Sequence, residues 1–102
     1  MPRKEERVPF LMEILLESAS GKREARISDI GPEGCYIDSI VTTQEGETVS
    51  LEISRPDGEA MKFTGKVAYA LEGFGFGVRF TDLSDANKTF LEEIIRAQKG
   101  QT

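Results

Sequence analysis

At 102 residues with a formal net charge of −5, the chain has the length of one domain and an ordinary balance of apolar and charged residues. It contains no histidine and one cysteine, which excludes a histidine general base, a histidine-containing metal site and an internal disulfide framework. No apolar run approaches the ~18 residues of a membrane span, and the mixed-charge start Met1-Pro2-Arg3-Lys4-Glu5-Glu6-Arg7 is unlike a signal peptide, so no membrane insertion and a cytoplasmic location are expected.

Nothing apolar precedes Val8, and Pro2 and Pro9 bracket a charged segment, so residues 1–9 read as a flexible N-terminal arm. Arg3 and Arg7 fall on one face of that arm whether it is helical or extended. From Phe10 the alternation is clear, with Phe10, Met12, Ile14 and Leu16 on one face of a first strand. Ser18-Ala19-Ser20-Gly21-Lys22 reads as a turn, and a second strand from about Arg23 to Asp29 points Ala25 and Ile27 inward. Gly31-Pro32-Glu33-Gly34 is a sharp corner with Asp29 at its lip, and a third strand runs from Cys35 to about Ile40. Cys35, at a strand start and with no histidine to activate it, reads as a small packing residue.

Val49, Leu51 and Ile53 alternate through a fourth strand, which ends at a Pro56-Asp57-Gly58 turn. The fifth strand places Met61, Phe63, Val67, Tyr69 and Leu71 on one face, with Gly65 as an expected bend or bulge. In the sixth, Phe74, Phe76, Val78 and Phe80 form an inward aromatic stripe, while Gly75 and Gly77 leave room for a close approach on the other face. The period changes at Ser84, an expected N-cap; Phe90, Leu91, Ile94 and Ile95 then share one helical face, with Gly100 as terminator.

Short strands at close spacing joined by hairpin turns predict an all-β fold, a six-stranded antiparallel barrel with one C-terminal α-helix from about residue 84, occupying residues 10–102. The acid excess lies between residue 31 and Leu83, which argues against a nucleic-acid polymer as partner. It leaves room for a small anionic ligand held by a few local arginines. No catalytic residue, metal site or bound cofactor is expected, and the chain does not read as an enzyme.

Arg3-x-x-x-Arg7, then a first strand, then Asp29-x-Gly31-x-x-Gly34, together with the late Gly75-Phe76-Gly77-Val78-Arg79-Phe80 strand, resembles the PilZ domain family over nearly the whole chain. The resemblance implies a bacterial receptor for the second messenger cyclic di-GMP. In it the arginine arm closes over ligand at the barrel surface and the domain then signals to a downstream protein partner. The implied ligand-binding residues are Arg3, Arg7, Asp29, Gly31 and Gly34. An arginine fork can bind guanine O6 and N7, or neutralise a phosphate, and an aspartate can accept from guanine or hold an arm arginine in place. One position departs from the family pattern, since Gly31 stands where the family carries serine. An arm that starts at the third residue implies that the signal passes through this domain's own surface to a separate partner. The alternative within the same resemblance is a ligand-free interaction module of motility or pilus assembly, a class that lacks the arginine motif.

Overall fold

The computed structural model describes residues 7–19, 21–39, 43–54 and 58–99. Its elements are β1 (Val8–Ser18), β2 (Gly21–Ile30), β3 (Gly34–Asp38), β4 (Thr48–Ser54), β5 (Ala60–Leu71), β6 (Gly75–Thr81) and α1 (Asp85–Lys99). The strands are antiparallel and close into a barrel in the order β1-β2-β3-β6-β5-β4, with β4 returning to β1 through Leu16–Leu51 and its neighbours. This is the expected architecture. β1 begins at Val8, two residues before the start that alternation alone suggests, because Val8 and Pro9 already pair with Ile30 and Asp29.

Apolar residues at every second position face the barrel interior: Ile14 and Leu16, Ile27, Cys35 and Ile37, Val49, Leu51 and Ile53, Phe63 and Val67, Phe76 and Val78 are all buried. One cap of this core comes from α1. Phe90, Leu91 and Ile95 are buried, and the Phe63 ring meets Phe80 at 5.1 Å and Phe90 at 5.9 Å. A 15-residue helix is marginal alone. Burying each of those side chains contributes about 1.5–3 kcal/mol, so packing rather than propensity holds the helix. Its start is fixed by a reciprocal cap. Asn87 N donates to Ser84 Oγ at 3.1 Å, Ser84 N donates to Asn87 Oδ1 at 3.2 Å, and Asn87 Nδ2 donates to the Lys62 carbonyl of β5. The expected terminator Gly100 and the Pro56-Asp57 half of the expected turn lie outside the described residues.

Two sequence expectations are corrected. The irregularity in β5 is at Ala68, not Gly65. The β5–β6 ladder is regular from Thr64 to Val67, and then Val67 faces Val78 while Tyr69 faces Gly77, leaving Ala68 as the extra residue. Gly65 serves close packing instead, since a Cβ there would lie 2.5 Å from the Arg79 carbonyl oxygen and 2.6 Å from Val78 Cγ1. The extra residue reverses the inside–outside phase of everything after it, so Tyr69 and Leu71 are 40% and 51% exposed rather than inward. Phe74 belongs to the turn before β6, not to the aromatic stripe, and is 74% exposed. Two further shifts place one extra residue of β1 between Pro9 and Met12 against β2, and one extra residue of β2, Ser28, against β3.

Candidate functional site

The register of the barrel lines up residues that are far apart in sequence. Pro9 faces Asp29, Asp29 faces Tyr36, Tyr36 faces Gly77, and Gly77 faces Tyr69, so one row crosses β1, β2, β3, β6 and β5. Gly77 lies between the two tyrosines of that row. A Cβ on it would collide with Tyr69 Cε1 and lie 2.6 Å from Tyr69 Cζ. Its missing side chain therefore lets the two tyrosines meet over β6, where their rings stack at 6.2 Å between centroids and 29° between planes. The room expected opposite the aromatic stripe is thus filled by the Tyr69 ring at Gly77, and at Gly75 by the Ile37 carbonyl.

Arg7 immediately precedes β1 and turns back onto β2. Its Nη1 donates to Asp29 Oδ1 at 2.9 Å, an ion pair between residues 22 apart whose side chains are 30% and 38% exposed. Arg7 and Asp29, one member of each sequence motif, thereby meet in space. Arg7, Glu33, Ala68, Tyr69, Gly77, Val78 and Arg79 line one open groove of about 270 Å³ on the outer surface. Arg3 lies outside the described residues.

The glycines of the corner are structural. Gly31 N donates to the Gly34 carbonyl at 2.8 Å, closing the turn, and Phe80 N donates to the Glu33 carbonyl at 2.8 Å, tying the turn to β6. The Gly31 amide is therefore already engaged rather than open to an anion. At Gly34 a Cβ would run into the Val78 carbonyl oxygen, so this glycine admits the β6 backbone. Neither glycine is among the described residues with φ in the left-handed region.

Electrostatics separate the buried from the usable groups. Complete burial pushes the Cys35 thiol up to about 12; nearby Arg7 opposes this and Asp29 adds to it. At neutral pH the thiol is protonated, as a packing residue should be. Tyr36 is raised above its ordinary 10.0, first by desolvation, then by Tyr69, Asp38 and Asp29, so its hydroxyl stays protonated at neutral pH. Among the described residues no group of three or more His, Cys, Asp or Glu could hold a metal ion, and no helix is long and apolar enough to cross a membrane.

Sequence reasoning missed the far wall of the groove, formed by Ala68, Tyr69, Gly77 and Arg79. The wall is built by the β3–β6–β5 pairing and by the bulge, neither of which local spacing reports. The one available signal was Arg79, a lone cation at an outward position in a strand whose other residues through Phe80 are glycine or apolar.

The site is a small closed barrel with a paired arginine and aspartate at one rim of an open groove, and Tyr69, stacked on Tyr36, in the groove wall. The chain belongs to the PilZ domain family, whose sequence model matches residues 2–97. Solved structures with the same fold include Bacillus subtilis inhibitor of motility (MotI/DgrA), at a TM-score of 0.83 and 14% identity over 100% of this chain and 53% of that one. The PilZ domain of Escherichia coli YcgR, solved with c-di-GMP, aligns at a TM-score of 0.79 and 16% identity over 97% of this chain and 92% of that one. The PilZ domain of CeSA from a cellulose-synthesizing bacterium aligns at 0.64 and 18% identity over 93% and 96% of the two chains. The present chain thus spans about half the length of MotI/DgrA. No curated protein sequence is significantly similar to it.

Proposed function

We propose that this chain is a receptor for cyclic di-GMP, with Arg3 and Arg7 forming an arm that closes over ligand seated in the groove and with a protein partner reading the closed surface. The observation that carries the reading is the Arg7–Asp29 ion pair, which brings the arginine motif and the aspartate–glycine motif to one rim of one groove. The likeness to the YcgR PilZ domain, solved with this ligand, supports it.

The chemistry is complementary. The Arg7 fork matches the paired acceptors of guanine or a phosphate, and Asp29 matches the guanine N1–H and N2–H donors. Tyr69 offers a ring at the groove wall on which a base can stack, a contact worth about 1–3 kcal/mol. Gly34 serves the barrel rather than the ligand, and Gly31 contributes a closed turn without the family's hydroxyl. A role in controlling another process is compatible with the likeness to an inhibitor of motility, MotI/DgrA, of which this chain matches only a part.

Calorimetric titration with cyclic di-GMP, with GTP and cyclic GMP as controls, tests the proposal. The expected result is saturable heat with cyclic di-GMP alone. No heat at high-micromolar ligand would sink it.

A further inference from the structure

Next to the tyrosine row, one further step along β3, β6 and β5 on the same face, lies a second row. Gly34 of β3 faces Arg79 of β6, and Arg79 faces Lys66 of β5. Arg79 and Lys66 are both exposed. Direct cross-strand partners of like charge repel and destabilise the sheet. Among the described residues neither one makes an ion pair, and Glu33, which shares the groove with Arg79, pairs with neither. The row therefore holds two uncompensated positive charges at adjacent positions in a chain whose middle segment is otherwise the source of its negative charge. An anion bridging Arg79 and Lys66 would turn their repulsion into attraction.

We propose that Lys66 and Arg79 form a phosphate-holding jaw facing Arg7 across the groove, so that a nucleotide lies with its base on the tyrosine row and a phosphate on the cation row. The rows are two residues apart along β3 and β6, about 6.6 Å, and three apart along β5, where Ala68 is the extra residue; a base and a phosphate of one nucleotide can bridge that separation. Asp29 neutralises Arg7, whereas among the described residues no ion pair neutralises the jaw. The jaw therefore attracts the ligand first, and Arg7 engages afterwards. This inference rests on the cyclic di-GMP reading for the identity of the nucleotide, but the cation row stands on the register alone.

Two measurements run in parallel. Cyclic di-GMP is titrated into the wild-type chain, Arg79→Gln, Lys66→Gln and Arg79→Lys. Each glutamine variant should weaken binding about tenfold or more, the scale of one lost charge-assisted contact, with an unchanged or raised thermal midpoint because the repulsion is relieved. Arg79→Lys should retain part of the affinity. Glutamine variants that bind within about twofold of wild type, a difference well under one charge-assisted contact, would overturn the jaw while leaving the receptor reading intact. Separately, pyrophosphate is titrated into the wild-type chain by NMR, reading Arg79 Nε–H and Lys66 Nζ. Shifts at both, absent with guanosine, are expected. If cyclic di-GMP gives no heat with wild type, the receptor reading fails, and the pyrophosphate shifts then decide the jaw alone. No shift at either cation would overturn it.

Discussion

Gly34→Ala is the sharpest test of how the second motif is built. The added methyl would overlap the Val78 carbonyl oxygen and lie 3.2 Å from Val78 C and 3.3 Å from Arg79 Cα. All three atoms are β6 backbone, and β6 cannot retreat because β5 holds the same residues from its other side through Val67–Val78 and Lys66–Arg79. Nor can β3 shift freely, since the Gly31–Gly34 and Glu33–Phe80 hydrogen bonds pin its start. Overpacking of this kind costs about 1–3 kcal/mol, and a lost ladder hydrogen bond adds about 0.5–1.5 kcal/mol. The entropy that alanine removes from the unfolded chain gives back only about 0.4–1 kcal/mol. The net loss, on the order of 2–3 kcal/mol, is a large fraction of the ~5–15 kcal/mol of a typical domain. It should lower the thermal midpoint by roughly 8–24 °C. Urea and thermal unfolding followed by far-UV circular dichroism measure this directly. Gly77→Ala is the control, because its methyl meets only the Tyr69 ring, which can swing away; its cost should stay near ~1 kcal/mol. An unchanged Gly34→Ala midpoint accompanied by weakened ligand binding would refute the reasoning and make Gly34 a ligand contact.

Arg7→Ala should change stability by no more than about 1 kcal/mol, because the Asp29 pair is partly exposed, yet weaken cyclic di-GMP binding by about 2–4 kcal/mol in calorimetry. Equal losses in both assays would mean the pair is structural. Gly31→Ser restores the family's hydroxyl at a position outside the left-handed region and should tighten binding by about 0.5–1.5 kcal/mol; an unchanged affinity would show that the contact is already served. The Cys35 thiol should resist a disulfide reagent at pH 8 in the native chain and react only on unfolding. With its folded value raised from 9.0 to about 12, the native state keeps its proton where the unfolded state loses it. This contribution to stability is full below pH 9 and is lost as pH rises toward about 12. A urea midpoint that declines over that window, and declines less in Cys35→Ala, checks the sign.

Most strands were legible because one face of each is buried and the apolar residues keep strict alternation, as in Val49-Ser50-Leu51-Glu52-Ile53. The helix was legible from its change of period and its serine cap. Tyr69 and Leu71 were misassigned because an extra residue changes no local composition. Ala68 looks like any strand residue until the pairing with Gly77 and Val78 is known. Of the site, Arg7 and Asp29 were readable as motif members, and their contact follows from β1–β2 pairing. Tyr69 and Arg79 were not readable, because what makes them neighbours of Arg7 is closure of the sheet through β3, β6 and β5. The corner glycines were recognisable as special from the turn, but their packing roles were not. Their space goes to strand packing at Gly34 and to a closed turn at Gly31.

The Arg7–Asp29 pair has a consequence for discrimination among metabolites. Each group is already the other's partner at 2.9 Å, so an incoming molecule does not add contacts at this rim but swaps them. Inorganic phosphate or a sugar phosphate brings acceptors for the arginine and nothing for the aspartate, leaving a carboxylate stranded beside new negative charge. A guanine edge brings acceptors and donors side by side and can satisfy both halves at once. On the cyclic di-GMP proposal, the ion pair would thus disfavour simple anions at this rim and favour a molecule carrying both kinds of group.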